Sequence, residues 1–418
     1  MRSPFSSVLF IGVLGGACSN GASTAAITSS GSSTSGAGET SGSATGNSGG
    51  SGTMSSGSVG ASGAGTDVSA SGTQESSGTG VGDATTEIGG VDASTELEAS
   101  SADAGHGPVM SPGCGMSLPG NVMLGQFTDM ADPGNGKPPP IMVDNVARGY
   151  WLYVPPNYDK NKPYKVIYQG AGCGNACPNG NGQQNKSGIS NGSQPVWPFQ
   201  TVDMGEAIQV GIDYGYASPT CFDDHNPDSN DFKFFPVLKG LIENMLCIDR
   251  SHVYFSGHSS GSWLTNQMTC AFGNEIRGTA ISTGGEPPSQ PPCVKGAHIA
   301  GLFLHDVNDQ LNSYAGVLPA VLRNLNNNGC TMTGGSQYTL MDVQQALPSN
   351  NPSTTTPWAI PQGLTIPGNG QCVQFDGCPA DSPVVFCTTT NADPGGQNHY
   401  EFVNSFIAPL FWNVFSQF

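Results

Sequence analysis

The chain has 418 residues, with 31 acidic and 13 basic side chains and a formal net charge of -18 at neutral pH. Such an acidic excess, with no basic cluster to offset it locally, argues against nucleic-acid binding and against electrostatic docking on anionic membranes. The length allows two or three ordinary domains.

The first eighteen residues have the features of an export signal. Met1-Arg2 precede an apolar run from Val8 to Leu14, which is too short to span a bilayer. Three small residues then lead to Cys18, which resembles an imperfect lipoprotein cleavage site; an ordinary signal peptide with a coincidental cysteine is the alternative. We predict a signal peptide over residues 1–18, a possible lipid on Cys18, and a secreted or outer-membrane-anchored bacterial protein.

Residues 19–112 are dominated by Ser, Gly, Thr and Ala, with acidic residues toward the end of the segment. Such a composition buries too little apolar surface to offset the entropy of ordering the chain, so it predicts a disordered tether. The remaining segment, 113–418, is about 300 residues long, which is enough for one large domain with a single core.

Within this domain, apolar runs rich in β-branched and aromatic residues alternate with segments of helical spacing. The predicted strands are Tyr150–Val154, Lys165–Gln169, Ile208–Ile212, Val253–Ser256, Thr279–Thr283, Ile299–Leu304 and Val384–Cys387. The predicted helices are Phe232–Met245, Ser260–Phe272, Tyr314–Leu325 and Glu401–Phe415. This alternation favours an α/β fold with a mostly parallel central sheet flanked by helices.

Two segments rich in Gly, Asn and Pro, Gly174–Gln194 and Met341–Gly370, interrupt the alternation. Loops of that length in a compact domain are usually functional or disordered. Insertions of this kind can reshape a substrate cleft.

The pentad Gly257-His258-Ser259-Ser260-Gly261 lies between a predicted strand and a predicted helix. Glycines at both ends permit a turn too tight for side chains, which exposes the hydroxyl of the central serine. This context predicts a nucleophile elbow with Ser259 as the nucleophile.

A serine nucleophile needs a histidine base, and that imidazole needs a carboxylate to fix its tautomer. In enzymes with such an elbow, the acid and then the histidine follow the serine along the chain. Asp309 follows the strand that ends at Leu304 and is our choice of acid, with Asp306 as its rival. His399 lies in a loop after the strand Val384–Cys387 and is the predicted base. The histidines interpreted as structural are His252, His258, His298 and His305.

Charge on the tetrahedral intermediate needs backbone N–H donors, one of them from the residue after the nucleophile. Ser260 provides that donor, and we assign the second to Ala171, in the turn Gly170-Ala171-Gly172 after the strand Lys165–Gln169. A plain glycine turn fits the latter residues equally well.

Twelve cysteines, eleven of them beyond Cys18, indicate an exported protein with disulfides. Because eleven is odd, at least one thiol is left over. We predict a bridge between Cys270 and Cys293, and a small loop closed by Cys173 and Cys177.

No cofactor or metal is expected. Cys173 and Cys177 lack a second pair at zinc-finger spacing. The acidic segment Asp223–Asp231 offers oxygen ligands for calcium, but it lacks the glycine and the distal glutamate of an EF-hand, so a solvated loop is favoured. Trp197 and Trp263 could stack on an aromatic acyl group or a sugar, although packing is the commoner role of a tryptophan.

The segment Leu246–Gly261, followed by Cys270 and Ile281–Gly285, resembles the secreted esterases that include polyhydroxybutyrate depolymerases and feruloyl and acetylxylan esterases. The likeness covers roughly Ala147 to Phe415 and extends to the first predicted strand with its following turn, Tyr150–Tyr158. It implies an α/β-hydrolase fold.

The same resemblance implies that Ser259, Asp309 and His399 are nucleophile, acid and base, and that Ala171 lies in the oxyanion turn. The chain departs from the family at Gln169, where a histidine is usual, and His258 is absent from many members.

These features together predict an exported serine esterase for feruloyl or acetyl groups on plant polysaccharide. A polyhydroxybutyrate depolymerase is the alternative, and a surface-displayed binding protein on a hydrolase scaffold is the alternative of another class. The expected partner is an ester-bearing polysaccharide or polyester, and the expected state is a monomer.

Overall fold

The computed structural model describes residues 108–130, 141–173, 189–190, 194–195, 197–213, 221–222, 228–287, 293–347, 354–390, 397–399 and 406–418. Residues 1–107, which contain the predicted signal peptide, Cys18 and most of the predicted tether, lie outside this set. Backbone hydrogen bonds join Val109 to Arg250 and Ser111 to Ile248, so residues just upstream of the predicted boundary at 113 pack against the domain.

The described part of the chain contains fourteen strands and five α-helices. The strands are β1 (Phe127–Asp129), β2 (Ile141–Val143), β3 (Val146–Arg148), β4 (Tyr150–Tyr153), β5 (Tyr164–Gly170), β6 (Ile189–Ser190), β7 (Gln194–Pro195), β8 (Ala207–Ile212), β9 (Ile248–His258), β10 (Gly278–Ser282), β11 (Ala300–Asp306), β12 (Thr355–Pro357), β13 (Gln371–Phe375) and β14 (Val384–Thr389). The helices are α1 (Asn230–Met245), α2 (Ser260–Ala271), α3 (Tyr314–Asn327), α4 (Leu340–Ala346) and α5 (Ile407–Phe415). None of these helices is long and apolar enough to cross a bilayer.

Ten strands form one sheet in the order β1-β4-β8-β5-β9-β10-β11-β14-β13-β12. The strands from β8 to β14 in this order are parallel to one another, whereas those at the two edges pair antiparallel. Along the chain, β8 is added on one side of β5, whereas β9 and then β10, β11 and β14 are added on the other side. Open α/β sheets bind ligands beyond the carboxyl ends of their strands at such a reversal, which here lies between β5 and β9.

The predicted α/β-hydrolase fold is confirmed by this sheet, its helical crossovers and the strand–turn–helix elbow from β9 to α2. All seven predicted strands are present, although β9 begins five residues earlier than its prediction. The interpretation of Met341–Gly370 as one irregular loop is wrong, because α4 covers the start of this segment and β12 lies within it. Thr339 and Asp342 form a capping box that starts α4, a local signal that composition alone hides.

The central strands are buried on both faces, and their sequences therefore read as continuous apolar runs instead of alternating ones. Every residue of β8, β10, β11 and β14 is buried. One large apolar core surrounds β5, β8 and β9 together with α5, and a smaller one joins α3 and α4 to Phe303, Phe375 and Phe386.

The C-terminal end of the acidic segment considered for calcium serves a structural purpose. Ser229 caps α1 by accepting a hydrogen bond from Phe232 N–H, and Asp231 Oδ1 lies 2.7 Å from the buried guanidinium of Arg148. Asn230 Oδ1 also accepts a hydrogen bond from Arg148, at 2.7 Å. Residues 223–227 lie outside the described part of the chain.

The described part of the chain contains five disulfides, which include the predicted pair Cys270–Cys293. The predicted loop between Cys173 and Cys177 is wrong, because Cys173 is bonded to Cys221. The other bridges are Cys114–Cys247, Cys330–Cys378 and Cys372–Cys387. Ten of the twelve cysteines are therefore paired, and the other two, Cys18 and Cys177, lie outside the described residues. So many disulfides indicate an oxidising compartment.

Candidate active site

Ser259 occupies the tight turn between β9 and α2 with φ 50° and ψ −118°. A non-glycine residue at positive φ is strained and persists only where its surroundings hold it. A Cβ on Gly257 would overlap the carbonyl of Gly261, and a Cβ on Gly261 would overlap the carbonyl of Gly170. The pentad therefore needs glycine at both ends: at Gly257 because the turn closes tightly on the start of α2, and at Gly261 because α2 packs directly against the end of β5.

Hydrogen bonds hold the strained serine in place. The Ser259 amide donates to Ser282 O at 3.0 Å, which ties the turn to the end of β10. Ser262 donates its amide to Ser259 O at 2.9 Å and its hydroxyl to Gly257 O at 2.6 Å. The turn is thus fixed from the neighbouring strand and from the first turn of α2.

His399 and Asp309 lie in contact, with Nδ1 of the imidazole 2.8 Å from Oδ2 of the carboxylate. The Asp309 side chain is fully buried, and its Oδ1 accepts hydrogen bonds from the amides of Leu311 and Asn312 at 2.8 and 2.9 Å. A carboxylate at Nδ1 places the proton there and leaves Nε2 as the basic nitrogen.

Asp306, the rival acid, has other partners at the end of β11. Its Oδ2 accepts a hydrogen bond from the Thr389 hydroxyl at 2.9 Å, and its Oδ1 accepts one from the Asn308 amide at 2.8 Å. These bonds tie β11 to β14 and shape the loop that carries Asp309.

The imidazole of His399 stands beside the elbow. Its ring centre is 5.1 Å from that of His258, the residue that precedes Ser259 in the chain. His258 is completely buried, and burial together with the nearby His399 holds its pKa well below the ordinary value. Within the described part of the chain, neither ring nitrogen of His258 has a hydrogen-bond partner.

The predicted oxyanion turn lies directly against the elbow. The Gly261 amide and the Ser260 hydroxyl both donate to Ala171 O, at 3.0 and 3.3 Å. A Cβ on Gly172 would overlap His258 Nδ1 and lie 3.0 Å from Ser259 Cβ. Ser260 is the first residue of α2, where amides have no partner within the helix.

Gln169 anchors the turn from behind. It is completely buried, its Nε2 donates to Gln209 Oε1 at 3.1 Å, and its Oε1 accepts from the Trp197 amide at 3.2 Å. Trp197 is itself buried against Phe411, which confirms the packing role for this tryptophan. Trp263 is half-buried.

No group of metal-ligating side chains that could hold an ion occurs in the described part of the chain.

The interpretation of His305 as merely structural is incomplete, because its Nε2 lies 3.5 Å from Asp309 Oδ2 and 3.0 Å from Asn312 O. Asn312 had no signal in the sequence beyond its place three residues after the acid.

No family model matches the chain. The probable feruloyl esterase C of Aspergillus niger is 29% identical over 205 residues, which cover 47% of this chain and 69% of that protein. The feruloyl esterase C of Emericella nidulans is 28% identical over 226 residues, which cover 52% of this chain and 77% of that protein.

Among solved structures, an acetyl xylan esterase from Aspergillus awamori aligns with 64% of this chain and 93% of its own, at 15% identity and a TM-score of 0.38. A ferulic acid esterase from Anaeromyces mucronatus aligns with 44% of this chain and 76% of its own, at 14% identity and a TM-score of 0.32.

Proposed function

We propose that this chain, which is similar to feruloyl esterases, cleaves carboxylic esters through an acyl-Ser259 intermediate. The observation that carries the proposal is the 2.8 Å contact between His399 Nδ1 and the buried Asp309 carboxylate, beside the strained serine turn. A serine after β9, an acid after β11 and a histidine after β14 are the three kinds of side chain that nucleophilic catalysis of this type uses.

In the first half-reaction, His399 Nε2 takes the proton of the Ser259 hydroxyl while the oxygen attacks the ester carbonyl. The resulting tetrahedral intermediate collapses when the same nitrogen returns the proton to the leaving alcohol, which leaves an acyl-serine. Water then gives a proton to His399 and attacks the acyl group, and the second tetrahedral intermediate collapses as His399 returns that proton to Ser259 Oγ and the carboxylic acid is released. Asp309 holds the tautomer and stabilises the imidazolium in both halves.

The amides of Ser260 and Ala171 are the proposed donors to the oxyanion. Both lie at the carboxyl ends of neighbouring parallel strands, where β5 and β9 meet at the reversal of strand order. Donors fixed in position by the backbone stabilise developing charge without reorganising, and one such donor is worth about 10²–10³ in kcat. The bonds from Gly261 and Ser260 to Ala171 O fix the turn that carries the second donor.

The proposed substrates are feruloyl or acetyl esters on plant polysaccharide. Support comes from two relatives that are named feruloyl esterases and that align over more than two thirds of their own lengths. A polyhydroxybutyrate polyester remains the alternative that the substrate test decides.

The test uses the full chain and its Ser259→Ala variant with methyl ferulate, p-nitrophenyl acetate, acetylated xylan and a polyhydroxybutyrate film. We expect hydrolysis of the first three, with loss of all activity in the variant, and labelling of the wild-type serine by an organophosphonate. Release of hydroxybutyrate alone would replace the polysaccharide proposal. A folded protein that is neither active nor labelled would favour the binding-protein alternative.

We further propose that the protein is exported and carries a lipid on Cys18, with the Ser/Gly-rich segment as a spacer from the membrane. The five disulfides support export into an oxidising compartment. Expression in a bacterial host with radiolabelled palmitate should label the wild type and leave Cys18→Ser unlabelled. An unlabelled wild-type protein in the culture medium would indicate a plain signal peptide instead.

A further inference from the structure

The loop that carries Asp309 is tied to the nucleophile elbow through Asn312. The Asn312 amide donates to Asp309 Oδ1 at 2.9 Å, and its side-chain Nδ2 donates to Thr283 O at 2.5 Å. Thr283 follows Ser282, whose carbonyl accepts the hydrogen bond from the Ser259 amide. Consecutive carbonyls at the end of β10 therefore bind the nucleophile turn on one side and the acid loop on the other.

Thr283 is itself held in a strained conformation, with φ 54°. For a β-branched residue a positive φ is a genuine outlier, and it survives only where the surrounding structure determines it. The Thr283 amide donates to Leu304 O at 2.9 Å, while its carbonyl receives the Asn312 side chain. Both bonds hold the Thr283 peptide between the ends of β10 and β11.

His305 completes the connection from the other side of the loop. Its Nε2 donates to Asn312 O at 3.0 Å and lies 3.5 Å from Asp309 Oδ2. Burial lowers the pKa of His305, although the acceptor Asn312 O and the carboxylates of Asp309 and Asp306 oppose that effect. A neutral ring whose one proton is on Nε2 matches a carbonyl acceptor on that nitrogen.

On the premise of the proposed function, we infer that Asn312 and His305 are positioning residues that hold the Asp309 carboxylate in register with His399 and the Ser259 elbow. Both residues act through the Asp309 carboxylate. Asn312 sets the distance between the acid loop and the end of β10, and His305 fixes the Asn312 peptide that donates to the carboxylate.

The test compares Asn312→Ala and His305→Phe with the wild type, using p-nitrophenyl acetate over a range of pH. We expect kcat to fall by about 10–100-fold with KM changed less than about twofold, because a misplaced catalytic group costs rate more than binding. An Asp309 carboxylate that moves away stabilises the imidazolium less. The acidic limb of the kcat/KM profile should therefore move to lower pH.

Two controls accompany these variants. Asn308→Ala removes an exposed side-chain amide from the same loop and keeps the backbone N–H that donates to Asp306. It should leave kcat and the pH profile unchanged. His305→Gln keeps an N–H donor toward Asn312 O and should restore most of the rate lost in His305→Phe. A purely structural role would lower the active fraction and the melting temperature of the variants but leave the acidic limb where it is in the wild type, and that result would overturn the inference.

A double-mutant cycle separates this inference from the proposed function. In an Asp309→Asn background, Asn312→Ala should lower kcat by less than about threefold, since the carboxylate that Asn312 positions is already altered. If Asn312→Ala lowers kcat by the same factor in the Asp309→Asn background as in the wild type, that result would also contradict the inference. If Asp309→Asn and Ser259→Ala remain active, the proposed function fails first. If His305→Phe does not fold, the half-buried Asn312 still provides the test.

Discussion

Nδ1 of His399 lies 2.8 Å from Oδ2 of Asp309, although 90 residues separate them in the chain. The carboxylate also accepts hydrogen bonds from two backbone amides and is shielded from water. Low-dielectric surroundings strengthen this contact, which orients the imidazole toward the serine turn.

Asp309→Asn should lower kcat by about 10³–10⁴-fold, because an amide at this position can favour the wrong histidine tautomer. KM should change little, since Asp309 does not contact substrate in the proposed mechanism. Steady-state kinetics with methyl ferulate provide the measurement. Asp306→Asn is the matched control for the rival acid, and a larger loss in that variant would reverse the assignment.

Gly172→Ala should reduce both stability and rate, since the new methyl group would overlap His258 and press on Ser259 Cβ. Displacement of the nucleophile by about 1 Å corresponds to a loss of about 100-fold in kcat. Gly240→Ala is the matched control, because nothing lies within 4 Å of its Cβ position in α1. That change should stabilise the protein by about 0.5–1 kcal/mol. Equal kinetics and melting temperatures for the two variants would contradict the argument.

The free energy of unfolding should fall as the pH drops below about 6.5, the ordinary pKa of histidine in an unfolded chain. Burial, and then the charge of His399, hold the pKa of His258 well below that value in the folded state. The unfolded chain therefore binds a proton that the folded chain does not, which costs up to about 1.4 kcal/mol per pH unit.

Urea unfolding at pH 5.0, 5.5, 6.0, 6.5 and 7.5 measures this slope. His258→Phe should reduce the slope of the unfolding free energy against pH, because it removes one of the buried neutral rings. His305, whose pKa burial also lowers, accounts for part of the slope that remains. An unchanged slope in His258→Phe would show that the ring is protonated in the folded protein.

Removal of the Cys114–Cys247 bridge should destabilise the domain more than removal of Cys372–Cys387. The two bridges close segments of 133 and 15 residues. Loop-closure entropy then gives losses of about 4–5 and about 3 kcal/mol for the paired alanine variants. Chemical unfolding of both variants tests the order, and the reverse order would show that native packing outweighs chain entropy at these bridges.

Local patterns were sufficient to predict the central elements. The apolar runs of β5, β9, β11 and β14 and the glycine pentad are properties of short segments, so each could be recognised without its neighbours. The edge strands β1 and β13 were missed because they are short and only partly apolar. Helix α4 was missed because its capping box lies in a segment rich in Gly, Asn and Pro.

The sequence by itself determined the α/β architecture and the order of Ser259, Asp309 and His399 along the chain, whereas the export signal and the tether remain predictions. Only the tertiary structure decided which partners meet: Asp309 at His399, Cys221 at Cys173, and Asn312 between the acid loop and Thr283. The physical reason is that periodicity and turn chemistry act over a few residues. Hydrogen bonds and disulfides between strand ends depend instead on sheet order, which brings together groups that are distant in sequence.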